Sequence, residues 1–149
     1  MSGRRFETLS RLHEFARDDV ARELARVGEA IEKLAQQRFD VERDMDAIRD
    51  RCSARTGDVS VQSLLDQGRY QLQLEAQLMH IDQAAAQLHQ QETLVRQRLM
   101  ACDAECRKYQ RLGELEDQAA RAASLRREQI ALDEFASIGA WNRRRNASK

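Results

Sequence analysis

From Val20 onward, apolar side chains recur on a seven-residue beat. Positions 20, 24, 27, 31, 34, 38, 41, 45, 48 and 52 hold Val, Leu, Val, Ile, Leu, Arg, Val, Met, Ile and Cys. Positions 74, 78, 81, 85, 88, 92, 95, 99, 102, 106 and 109 hold Leu, Leu, Ile, Ala, Leu, Glu, Val, Leu, Cys, Cys and Tyr. Only Arg38 interrupts the first stripe and only Glu92 the second. Spacings that alternate between four and three specify helices that bury a narrow seam. The period of about 3.5 predicts a left-handed supercoil. The 149 residues include no proline, so nothing removes a backbone donor or jams a helical turn. With 5% aromatic and 34% charged residues, the chain is poorly suited to a β-sandwich or a compact enzyme with a large mixed core.

The break between the stripes is Ser53-Ala-Arg-Thr-Gly-Asp-Val-Ser60. Gly57 suits a helix C′ position, and Asp58 and Ser60 are candidate N-caps. A short break between long helices predicts an antiparallel hairpin. The expected organisation is one elongated coiled-coil domain over 1–149. Helix one covers about 4–54, the turn about 53–60 and helix two about 60–138. Gly139 acts as a stop signal, with a basic tail over 139–149. The fold class is all-α, an antiparallel two-helix coiled-coil hairpin with unequal arms. On the outer faces, Glu7 with Arg11, Asp18 with Arg22, Glu29 with Lys33, Asp103 with Arg107 and Asp117 with Arg121 place acid before base at i,i+4.

The arms differ in length, at ~75 Å and ~115 Å. With the turn centred near Gly57, Phe6 is expected beside Lys108 and Tyr109, and residues beyond about 112 lack a partner. That overhang carries Leu112, Leu115, Ala119, Ala122, Leu125, Ile130, Leu132, Phe135, Ile138 and Trp141. A helix is held mainly by burying an apolar face. This end, with Phe6, Leu9, Leu12 and Phe15, is therefore expected to dock on another protein, a second copy, or the N-terminal arm in another register.

No apolar run follows Arg4 and Arg5 that would make a signal peptide, and no stretch could span a bilayer. Cys52, Cys102 and Cys106 form an odd set that reads as reduced cytosolic thiols. Lys plus Arg number 25 and Asp plus Glu number 25, and that neutrality argues against bulk nucleic-acid or membrane binding. The run Arg143-Arg144-Arg145 suits the negative end of a helix.

Catalytic and cofactor patterns are lacking: there is no phosphate loop, no His-Glu-x-x-His and no nucleophile elbow. Neither a cofactor nor a bound metal is expected. Cys102, Cys106 and the nearby His13 could offer three soft ligands, but no fourth is evident and seam packing explains both cysteines. Arg38 and Glu92 read either as register-setting polar residues or as side chains whose heads reach water. Arg38 is expected near Glu75. Gly113 falls where the overhang begins, as a hinge or as a merely tolerated helical glycine. The Gln-rich stretch from Gln67 to Gln97 is a solvated face and a candidate recognition surface.

A resemblance adds to this reading. The opening Arg5-Phe-Glu-Thr-Leu-Ser-Arg-Leu12 and Val20-Ala-Arg-Glu-Leu-Ala25 resemble the start of the FliJ family of flagellar export proteins. Arg127-Glu-Gln-Ile-Ala-Leu-Asp-Glu-Phe135 resembles the family's C-terminal pattern. The chain departs from it at Ile130, where lysine is frequent, and in Gly139-Ala-Trp-Asn142. The family is similar to the YscO-type stalks of non-flagellar type III secretion and, in fold, to the γ stalk of rotary ATPases.

The resemblance implies a non-enzymatic stalk or adaptor, cytoplasmic and peripheral to the inner membrane at the flagellar base. Its implied partners are the hexameric export ATPase, the cytoplasmic domain of the export gate protein and export chaperones. Phe6, Leu9, Leu12, Gln129, Leu132, Asp133 and Phe135 occupy the motif positions that the resemblance implies face the ATPase ring. The competing reading is a coiled-coil scaffold that self-associates without an ATPase partner. A nucleic-acid-binding coiled coil using the Arg143–Arg145 tail lacks a basic groove and stacking aromatics.

Overall fold

The computed structural model describes residues 3–54, 57 and 59–149. It contains two helices, α1 (Gly3–Ala54) and α2 (Val61–Ala147), and no strand among the described residues. The fold is an all-α two-helix hairpin, with arms of 52 and 87 residues. The chain divides into two compact units, Arg17–Ala101 and the pair Met1–Ala16 with Cys102–Lys149.

In the unit Arg17–Ala101, α1 and α2 lie antiparallel. Val20, Val27, Ile48, Leu74 and Val95 are buried, and each belongs to one of the two heptad stripes. Val95, 2% exposed, is the most enclosed of them. The remaining stripe positions are half-buried, apart from the exposed Arg38 and Cys52. Each fully buried Val or Leu removes apolar surface from water worth about 1.5–3 kcal/mol.

The connection follows local chemistry. Gly57 has φ 141°, a backbone region that a Cβ disfavours. Ser60 caps α2: its Oγ accepts the Ser63 N–H at 3.1 Å, and its carbonyl accepts the Leu64 N–H at 3.2 Å. The other candidate cap, Asp58, lies outside the described residues.

The cross-helix register differs from the expected one. Arg38 Nε donates to Asp82 Oδ1 at 2.9 Å, and Arg98 Nη1 to Glu23 Oε2 at 3.0 Å. Cys52 Sγ donates to Gln67 Oε1 at 3.3 Å. Asp82 is one heptad beyond Glu75. A seam that repeats every seven residues can slip only by whole heptads if its apolar residues are to stay inside. A register centred on Gly57 falls between the permitted ones.

In the second unit the opening of α1 lies along α2 from Cys102 to Glu116. Cys106 is 1% exposed, and Cys102, Tyr109, Gly113 and Glu116 continue the half-buried row. The longer register moves Phe6 from Lys108 and Tyr109 to Gly113, where a Cβ would stand 3.8 Å from that of Phe6. The partnered stretch of α2 therefore ends after Glu116, not near 112.

Gly139 does not stop α2. It lies within the helix, and Gly57 is the glycine with positive φ. Helix termination by glycine requires that left-handed conformation; inside the helix the residue costs only about 1 kcal/mol relative to alanine. Most of the expected basic tail is therefore helical. The end is held by Ser148, whose N–H reaches the Arg144 carbonyl at 3.2 Å and whose Oγ reaches the Arg145 carbonyl at 3.0 Å.

Candidate functional site

The second unit contains all seven motif residues expected to meet a partner, while the Gln-rich stretch from Gln67 to Gln97 lies in the other unit. Phe6 and Leu9 are half-buried on α1, while Leu12 and Phe15 are exposed. Gln129, Leu132, Asp133 and Phe135 are exposed on α2. The two groups are not brought together. Phe6 is level with Gly113, and Gln129 lies about 24 Å further along the helix at 1.5 Å per residue.

Near Phe6 the helices fit closely. The His13 and Tyr109 rings stack with centroids 4.5 Å apart and planes 12° from parallel. The Lys108 ammonium lies 5.6 Å from the Tyr109 centroid. Gln110 Nε2 donates to Glu14 Oε1 at 3.2 Å, and the pair Glu7 with Arg11 closes at 2.8 Å. His13 thus packs on an aromatic ring. No group of three or more His, Cys, Asp or Glu among the described residues is arranged to hold a metal.

From 117 to 138 every residue of α2 is exposed. Leu125, Ile130, Leu132, Phe135, Ile138 and Trp141 are all exposed, with Phe135 at 74% and Trp141 at 59%. Leu132, Phe135, Ile138 and Trp141 follow one another at intervals of three, so their directions rotate about the axis. At about 100° per residue, these six side chains spread over roughly 220° of the circumference. A seam for one partner helix would keep to a narrow stripe. Only a surface that approaches from several sides can cover this segment.

The two seam charges differ. Arg38 bonds Asp82 across the hairpin and Glu42 on its own helix at 3.0 Å, with its side chain about half exposed. Glu92 stays on its own helix, 2.6 Å from Arg96 and 3.4 Å from His89 Nδ1. Among the expected surface pairs, Glu7 with Arg11 and Asp103 with Arg107 close at 2.8 Å. Arg22 instead takes Asp19, at 3.1 Å. Sequence reasoning missed the partnership of Arg38 with Asp82 and the Tyr109 stack, both of which depend on the heptad step in register.

No helix among the described residues is long and apolar enough to cross a membrane. The family described as "Flagellar FliJ protein" matches residues 1–145. No curated protein shows significant similarity to the chain. No solved structure does either.

Proposed function

The chain belongs to the FliJ family of flagellar proteins, and from that premise we propose that it is the stalk of a flagellar type III protein export apparatus. The partnerless end of α2 inserts into the central hole of the hexameric export ATPase and promotes assembly of that ring. The same chain links the ring to the cytoplasmic domain of the export gate protein and to export chaperones, at the cytoplasmic side of the inner membrane. The family is one of structural export components and not of enzymes; hydrolysis belongs to the ring.

The observation that carries this reading is the exposed apolar surface that wraps around α2 beyond Glu116. A socket that encloses a helix covers such a surface, whereas a single flanking helix does not. Phe6, Leu9, Leu12, Gln129, Leu132, Asp133 and Phe135 are the proposed ring-facing residues. The test is to mix the chain with the export ATPase and follow hexamer formation and ATP turnover. The wild-type chain raises both, and the pair L132D and F135D, which leaves the hairpin seam untouched, loses the effect. A wild-type chain that neither binds nor stimulates the ATPase overturns the proposal.

A further inference from the structure

The exposed end of α2 carries a charge pattern that its own helix cannot satisfy. Arg126 and Asp133 are seven residues apart, as are Arg127 and Glu134. Seven residues bring each pair onto one side of the helix but separate it by about 10 Å along the axis, beyond the i,i+4 reach of an ion pair. None of the four forms an ion pair among the described residues; Arg127 Nε turns to the Ala123 carbonyl at 3.4 Å. The midpoints of the two rows lie half a residue to either side of Ile130.

We propose that this face binds a second copy of the same chain, antiparallel, with the two-fold axis at Ile130. That operation lays Arg126 against the partner's Asp133 and Arg127 against the partner's Glu134. The symmetry repeats each contact, so four pairs close around two facing isoleucines. Further out, Arg145 rests over the Trp141 ring at 5.2 Å. Shape agrees with charge: the small Ala119, Ala120 and Ala123 come opposite the partner's Ile138 and Trp141. A parallel pairing would set Arg126 and Arg127 against their own copies, and like charges in contact select against it.

The dimer covers one side of α2 and leaves Leu125, Leu132 and Phe135 on the other. It goes beyond the stalk reading and does not rest on it. Self-pairing and any surrounding socket compete for Ile130 and Trp141, so the dimer is a form held apart from the assembly.

The test uses the full chain and charge reversal. Analytical ultracentrifugation of R126E/R127E and of D133R/E134R, each with helicity checked by circular dichroism, shows self-association weaker than wild type by about tenfold or more. Mixing the two variants restores dimers, because acid again meets base at all four contacts. A wild-type chain that stays monomeric at high micromolar concentration overturns the proposal. So does wild-type dimerisation that neither variant weakens, or a mixture that associates no better than its components.

Discussion

Arg38 on α1 and Asp82 on α2 meet at 2.9 Å, and this contact fixes which heptad of one helix faces which heptad of the other. Both side chains are about half exposed, so water screens the pair and its net worth is modest. A double-mutant cycle with R38A and D82A in urea unfolding should give a coupling of about 0.3–1 kcal/mol. The cycle of R38A with E75A should give none. Coupling to Glu75 in place of Asp82 would mean the register is one heptad shorter.

Val95 is nearly sealed in the seam while its neighbour Leu94 faces outward at 60% exposure. Val95→Ala removes two methyl groups and leaves a gap, so it should lower unfolding free energy by about 2 kcal/mol. Leu94→Ala should change it by less than about 0.5 kcal/mol. Equal losses at the two positions would contradict the orientation of α2.

Two glycines should respond in opposite directions. A Cβ at Gly113 meets only the Phe6 Cβ at ordinary contact distance, so Gly113→Ala should stabilise by up to about 1 kcal/mol through helix propensity. Gly57 has open space around it but holds φ at 141°. There alanine should cost about 1 kcal/mol or more from backbone strain alone. Thermal melts of the two variants check both signs.

The cap at Ser60 is a single side-chain contact to the Ser63 N–H. Its removal in Ser60→Ala should cost about 1 kcal/mol. Ser60→Asp should retain most of the stability, since a carboxylate accepts the same bond and complements the helix dipole. A Ser60→Asp variant as unstable as Ser60→Ala would remove the capping account.

Amide hydrogen exchange should divide α2 sharply. The half-buried row ends at Glu116, so amides around Leu74, Val95 and Cys106 should be the slowest. Those from about 118 to 147 should exchange far sooner, because opening there breaks no tertiary contact. Slow exchange around Leu125 in the isolated monomer would show that this segment is covered.

The seam is legible in the sequence because burial in a two-helix hairpin depends on periodicity alone. Every buried residue among the described ones, from Val20 to Cys106, falls on one of the two heptad stripes. The register is not legible, since each stripe looks the same to its partner after a shift of seven residues. Centring the hairpin on Gly57 therefore sets the expected partner of Arg38 seven residues too early, at Glu75 and not Asp82, and that of Phe6 four residues too early, at Tyr109 and not Gly113. Gly139 misleads for a different reason: the residue permits a stop without requiring one, and the following Ala140 to Arg145 contain nothing that resists a helix. Exposure of Leu132, Phe135 and Trp141 follows from unequal arm lengths. The partner that covers them is not encoded in their spacing.

The three thiols differ in access: Cys106 is sealed, Cys102 is half-covered, and Cys52 sits open beside Gln67 at the hairpin turn. A maleimide dye should therefore tag Cys52 first and leave Cys106 unmarked. The native molecule thus carries a built-in fiducial, and fluorescence transfer from it to a labelled ring would report how near the turn comes to that ring.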